Sequence, residues 1–202
     1  MQFYDALGIT RDVASRPDLD VYGLRPFLSC KYLFDYRGDG KSGSTNSFID
    51  EDGNTKMPGW KYLRTQNRFD IYRNEYYIPM GYTFDNFITE EEFDLISSVH
   101  KSEALLYAMV LPRDLMKKYS SITGYSDEKY KLLYGKHPEY YDSITETFSY
   151  DNSEYKKACT QRAYNSCSSF EYTDNGFKAV YDNTKGDDNL LFFSVPYSDG
   201  FT

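Results

Sequence analysis

Few residues of this chain stand at spacings that chemistry requires. Gly40-Lys41-Ser42 has the ending of a phosphate-binding loop, but such a loop needs a glycine five residues earlier, where Asp35 stands, and no apolar helix follows. A flexible loop is the better reading. Asp50, Asp52 and Asn54 imitate the start of a calcium loop, yet the glycine falls at Gly53 and no glutamate closes the loop, which favours a solvated turn. Asp18-Leu19-Asp20 has the form of an aspartate pair for metal and nucleotide-sugar diphosphate, a pattern common by chance in an acidic chain. Arg37-Gly38-Asp39 spells an adhesion tripeptide of little information content. His100 and His137 lack partners at metal-ligand spacing, and no Gly-x-Ser-x-Gly elbow is present. Cys159 and Cys167 fall on an apolar stripe where inert thiols are the default. Acidic residues abound, so a carboxylate dyad for glycan hydrolysis is compatible with the composition, but no pair is singled out. The sequence therefore nominates no catalytic, cofactor-binding or metal-ligating residue.

What it does offer is aromatic and basic side chains. Trp60, Tyr62, Tyr76 and Tyr77 could stack on the C–H faces of sugar rings, and Arg64, Arg68 and Arg73 could form a basic patch beside them. Core packing is the competing fate of most such rings. The aromatic supply is unusual, with 22 Tyr and 14 Phe carrying most of the apolar bulk of a 202-residue chain. That length suits one domain with a sizeable core. A formal charge of −8 argues against nucleic acid and against adhesion to anionic lipid. No apolar run reaches the length of a membrane span, and Met1-Gln2-Phe3-Tyr4 does not open a signal peptide. Three cysteines, an odd number, exclude a fully paired framework. On a continuous helix Cys159 and Cys167 would lie about 12 Å apart, beyond disulfide reach, so the pair is expected to be unbridged.

The elements that must position these residues alternate with polar breaks. Short helices are expected over 3–8, ended by Gly8, and over Tyr22 to Ser29. Cys30 to Tyr36 alternates like a strand. Residues 37–55 are rich in Gly, Ser and Asp and read as a long mobile loop. Trp60 to Thr65 and Arg68 to Arg73 form a hairpin turned at Gln66-Asn67, and Met80 to Phe84 is another strand. Thr89 with Glu92 is a capping box for a helix from about Glu90 to Ser97. A second helix spans about Ser102 to Met109, barred from extension by Pro112. Arg113 to Tyr141 is charged and poorly periodic. Ile144 to Ser149 reads as a strand, and a helix follows from Asp151 to about Ser166. Three strands close the chain, Ser168 to Thr173, Phe177 to Asp182 and Leu190 to Val195, the first two joined at Asn175-Gly176. The order of elements predicts an α+β fold, a mixed or antiparallel sheet with several short helices, in a single domain over 1–202. The last strand and its Ser198-Asp199-Gly200 turn promise a returning partner, so the chain reads as part of a longer protein, cut one strand short. Leu190 to Val195 is expected to pair with Phe177 to Asp182.

Four segments in order resemble the extracytoplasmic part of YfhO-type bacterial membrane proteins. Leu28-Ser29-Cys30-Lys31-Tyr32-Leu33 resembles the family's L-x-V-K-Y strand, with Cys30 where Val is usual. Ile71-Tyr72-Arg73-Asn74 through Ile78-Pro79-Met80-Gly81 resembles V-Y-x-N-x-x-x-L-P-x-G/A, Asn175-Gly176-Phe177-Lys178-Ala179 resembles an N-G-F-x-A hairpin, and Phe192-Phe193-Ser194-Val195-Pro196-Tyr197 with Gly200-Phe201-Thr202 resembles FFS-x-PY-x-x-G-W/F-T/S. The resemblance implies a multi-pass, glycosyltransferase-like parent that glycosylates cell-envelope polymers such as lipoteichoic acid from polyprenyl-phosphate sugars, on the outer face of a Gram-positive membrane. The family's catalytic acid lies in an early loop outside this chain. The matched positions (Lys31, Tyr32, Tyr72, Asn74, Pro79, Gly176, Phe177, Pro196, Tyr197 and Gly200) are strand and turn residues. The implied role is non-catalytic, capping the membrane-embedded part and helping recognise an envelope glycan or polymer, with no cofactor. The alternatives are an independent carbohydrate-binding module and a secreted glycan hydrolase.

Overall fold

A computed structural model describes residues 2–9, 17–37, 48–126, 134–135, 152–184 and 190–195. It is an α+β fold of short helices and small, mostly antiparallel sheets. Helix α1 (Gln2–Ala6) stops where Gly8 turns left-handed, and α2 (Leu24–Phe27) has Pro26 inside its single turn. Strand β1 (Tyr32–Tyr36) pairs with β3 (Phe69–Asn74), which also pairs with β2 (Trp60–Gln66), giving a three-stranded sheet in the order β1-β3-β2. The β2–β3 turn lies one residue later than expected. Asn67 and Arg68 both have positive φ, at 51° and 65°, which defines a two-residue mirror-type hairpin.

Strand β4 (Tyr82–Phe84) is followed by β5 (Asn86–Thr89), then α3 (Glu90–Asp94) and α4 (Ser98–Tyr107). The capping box forms as expected: Glu92 N donates to Thr89 Oγ1 at 3.2 Å and Thr89 N donates to Glu92 Oε2 at 3.2 Å. The helix expected to reach Met109 ends at Tyr107. Ala108 is extended, and β6 (Met109–Leu111) pairs parallel to β5. The two helices thus form a crossover between parallel strands, a unit the apolar run Ala104 to Leu111 conceals because helix and strand meet there with no polar break. Arg113 to Tyr141, read as aperiodic, contains α5 (Arg113–Lys118), α6 (Ser120–Thr123) and β7 (Tyr134–Gly135), which adds antiparallel to β5. The strand expected at Ile144 to Ser149 lies outside the described residues. Helix α7 (Asn152–Tyr164) precedes β8 (Ser169–Thr173) and β9 (Gly176–Val180), an isolated hairpin.

Strand β10 (Leu190–Phe192) corrects one expectation. It pairs antiparallel with β4, Leu190 opposite Phe84 and Phe192 opposite Tyr82, and not with the segment from Phe177 to Asp182. The reason is aromatic burial: this position sets Phe192 4.9 Å from Phe27, 5.4 Å from Tyr82 and 6.1 Å from Phe84, ring centre to centre. Phe193 meets the hairpin instead, 4.9 Å from Phe177. The principal core gathers Leu24, Phe27, Ile78, Tyr82, Phe84, Ile88, Leu105, Leu106 and Tyr155. Helix α7 buries Tyr155, Ala158, Cys159 and Arg162 along one face, with Ala163 half-buried beside them. Arg162 is neutralised there: it donates to the Thr83 carbonyl, pairs with Asp85 at 3.2 Å and lies 4.8 Å above the Phe84 ring. Cys167 falls beyond the end of α7 and packs beside Gly81, where φ is 75° and an added Cβ would lie 2.6 Å from the Cys167 Sγ. Cys30, Cys159 and Cys167 are free thiols.

A second, smaller core of Phe48, Met57, Trp60 and Tyr72 fills the space between one face of the three-stranded sheet and the end of the loop read as mobile. Phe48, in that loop, is 1% exposed, Ile49 bridges Thr55, and Asp50 Oδ1 accepts the amides of Asp52 and Asn54. The calcium-like triplet is therefore an Asx-type turn, with its first carboxylate occupied by backbone. Gly40-Lys41-Ser42 and most of that loop lie outside the described residues.

Candidate functional site

Alternation gives the three-stranded sheet two unlike faces. The inner face carries Leu33, Trp60, Tyr72 and Asn74 against the small core, and Asp70 and Arg37 at its rim. Arg37 Nε donates to both Asp70 carboxylate oxygens at 2.8 Å, and Thr65 Oγ1 donates to Asp70 Oδ1 at 2.6 Å. Burial pushes the Asp70 carboxyl up, but these two donors and the guanidinium charge outweigh it and hold the group below the usual range. The arginine of the adhesion tripeptide is thus committed to this pair.

Among the described residues no helix or strand is layered over the outer face. From β1 it presents Tyr32, Phe34 and Tyr36, exposed to 48%, 53% and 43%. Opposite them in register stand Arg73, Ile71 and Phe69. Phe69 lies 5.2 Å from Tyr36 and 6.5 Å from Phe34, so the rings form one row across the strands. On β2 the register slips between Tyr62 and Arg64. Without the slip, Lys61 and Leu63 would face outward and Arg64 inward. With it, Leu63 is the extra residue of a bulge and Arg64 comes opposite Ile71, on the aromatic face. Tyr32, Phe34, Leu63, Arg64, Phe69 and Ile71 then line one depression of about 540 Å³.

The charge on this face is basic. Among the described residues, Arg64 and Arg68 make no ion pair or hydrogen bond, whereas Arg73 and Lys61 share Glu75 at 3.2 and 2.6 Å. The Lys31 ammonium sits 5.8 Å from the Tyr32 ring and 5.2 Å from Tyr77. Asp35 and Asp70, the carboxylates of β1 and β3, are both buried. In a chain of charge −8, this is a local reversal of sign.

The chain matches no protein-family model, no curated protein and no solved structure. The site therefore has to be read from its own residues.

Of the nominated glycan-contact residues, the structure brings Arg64, Arg68 and Arg73 to one sheet but separates them from the nominated rings. Trp60 is 3% exposed and packs edge-on to Phe48 at 5.8 Å. Tyr62 is exposed but belongs to the inner face, with its hydroxyl 2.8 Å from Thr65 Oγ1. Tyr76 is half-buried, 5.5 Å from Tyr155, and Tyr77 is half-buried after β3. The rings that do join the arginines, Phe34, Tyr36 and Phe69, were not nominated. Their alternation was visible in the sequence; which face lacked a cover was not. Of the motif positions, Asn74 works locally, donating to the Cys30 carbonyl at 3.2 Å and accepting from Tyr76 N at 2.9 Å. Pro79 is half-buried, Gly176 sits at the hairpin turn and Phe177 stacks on Phe170 at 5.1 Å. Pro196, Tyr197 and Gly200 lie outside the described residues. No cluster of three or more potential metal ligands occurs among the described residues. Among them, too, no helix is long and apolar enough to cross a membrane.

Proposed function

We propose that this chain is an extracytoplasmic, non-catalytic domain of a YfhO-type membrane protein, and that the open face of its three-stranded sheet helps hold an anionic envelope polymer, such as lipoteichoic acid, for glycosylation by the membrane-embedded part. Four ordered motif matches support the family reading. The observation that carries the binding role is the aromatic row beside Arg64 and Arg68, which make no ion pair among the described residues, in an otherwise acidic chain. Rings stack on sugar and glycerol C–H faces while guanidinium groups take phosphate in two-pronged hydrogen bonds. This resolves the conflict between a polyanionic acceptor and a net negative surface, because the face itself is basic.

Arg68 adds an independent support. It occupies a left-handed turn position normally given to glycine, which costs an ordinary residue about 1–2 kcal/mol. Strain kept at an exposed position fits a side chain needed for contact. The test is titration calorimetry with a poly(glycerol phosphate) polymer and a neutral glycan of similar length. The polymer should bind and weaken with salt, and an Arg64→Glu, Arg68→Glu variant should lose it. Equal affinity for the neutral glycan would favour an independent carbohydrate-binding module, and no binding to either would remove the role. The full gene product is expected to carry many apolar spans before Met1; their absence would sink the family reading without touching the binding result.

A further inference from the structure

A second, more apolar hollow belongs to a different part of the molecule. A cavity of about 410 Å³ lies between α1, α2, α3, α4 and the β4–β10 pair, within the roughly 300–1,000 Å³ range of small-molecule sites. Phe3 and Leu7 cover it from the N-terminal side, and Phe27, Phe84, Phe93 and Phe192 form much of its wall. Two of its thirteen lining residues are charged, Glu90 and Asp94, one helical turn apart on α3. An interior so built offers a ligand almost no hydrogen-bonding side chain. Walls so apolar favour an alkyl or aryl group over water.

The charged groups that the lining offers to the polar end of such a guest are the carboxylates of α3. Glu90 is exposed and makes no ion pair or hydrogen bond among the described residues. Asp94 has one partner, Lys101 Nζ at 3.4 Å, whose shorter bond is to the Ala6 carbonyl at 2.8 Å. Lys101 is nearly buried over the Phe93 ring, 5.0 Å from its centre, and is already committed to α1. Glu91 on the same helix pairs with Arg113, and Glu92 is taken up by the capping box. The charge left for a ligand at this mouth is negative.

We propose that this cavity binds the hydrocarbon part of a single-chain cationic amphiphile, with its ammonium head at Glu90 and Asp94. The lysine contact from Lys101 to Ala6 closes α1 over the chain. This site is separate from the basic sheet face and does not rest on the proposed polymer-binding role, so either can fail alone.

The probes are octylammonium, octanol and octanoate, each used below its micelle concentration, with binding followed by titration calorimetry and by the methyl NMR signal of Met109 in the cavity wall. Octylammonium should bind about fivefold or more tightly than octanoate, because two exposed carboxylates attract one head and repel the other by a few tenths of a kcal/mol to 1 kcal/mol each. Octanol should fall between them. Ala108→Phe, at a buried wall position, should abolish binding by filling the space. Should that variant fail to fold, Glu90→Lys, at an exposed position outside the core, should narrow or invert the order of the charged probes. An unmoved Met109 signal with all three probes, or octanoate binding as well as octylammonium, would overturn the proposal.

Discussion

Replacing Arg68 by glycine should make the protein more stable and a poorer polymer binder at once. Arg68 holds φ at 65°, after Asn67 at 51°, in the two-residue turn of the β2–β3 hairpin. A left-handed residue with a Cβ costs about 1–2 kcal/mol, and glycine removes that cost. Against this, glycine adds freedom to the unfolded chain, a loss of about 0.5–1 kcal/mol. The net expectation is a gain of about 0.5–1 kcal/mol. At roughly 2–4 °C per kcal/mol for a chain of this size, the melting midpoint should rise by about 1–4 °C. The guanidinium makes no bond within the described residues that would be forfeited; the carbonyl that accepts Arg37 N at 2.9 Å is backbone and survives. Denaturant melts give the stability change, and calorimetry with poly(glycerol phosphate) gives affinity, expected to fall about threefold or more for one lost charge-assisted contact. A lower midpoint would refute the strain argument. A higher midpoint with unchanged affinity would leave Arg68 without a binding role and remove the reason offered for its strain.

Arg162→Met strips the guanidinium from the buried Asp85 pair and should cost about 3–5 kcal/mol in a denaturant melt, while Arg162→Met with Asp85→Asn should cost less than the two single changes added. Gly23→Ala would place a Cβ 2.7 Å from the backbone oxygen of Ser102, where neither helix backbone can yield easily; a loss of about 1–3 kcal/mol is expected from such overpacking. Because Asp70 titrates below the ordinary carboxylate range when folded, its contribution is complete above the unfolded value of about 3.9 and disappears as pH falls through the folded one. Asp70→Asn should therefore lose less stability between pH 7 and pH 2.5 than the parent, read from urea melts at both. Burial pushes the Cys159 thiol up to about 12, so Cys159 should resist a thiol reagent at pH 8 until denaturant is added, by mass spectrometry of labelled peptides.

Local chemistry made much of the fold readable. The capping box at Thr89 and Glu92 follows from groups a few residues apart in the chain and stands where expected, while the hairpin read at Asn175-Gly176 forms with its turn one residue earlier, at Asp174-Asn175. Pairing across long separations was less legible. The segment Ala104 to Leu111 has no polar break, so nothing in it marks where a helix gives way to a strand; the backbone changes at Ala108 because β5 offers a ladder there. Likewise β10 was expected beside the segment from Phe177 to Asp182, and packing Phe192 among Phe27, Tyr82 and Phe84 selected β4 instead.

For the candidate site the division is similar. The alternation of Tyr32, Phe34 and Tyr36 and the basic character of the β2–β3 hairpin belong to the sequence alone, because side chains on a strand alternate whatever surrounds it. Which of those faces would be covered was decided by Phe48 and Met57, which fold back from a polar loop onto Trp60 and Tyr72, while among the described residues no element packs on the other face. The bulge at Leu63, a property of pairing between strands, then turned Arg64 from the covered face to the open one. Composition supplied aromatic rings and arginines. Their meeting on one uncovered surface required tertiary packing, because burial of a sheet face depends on residues distant in the chain.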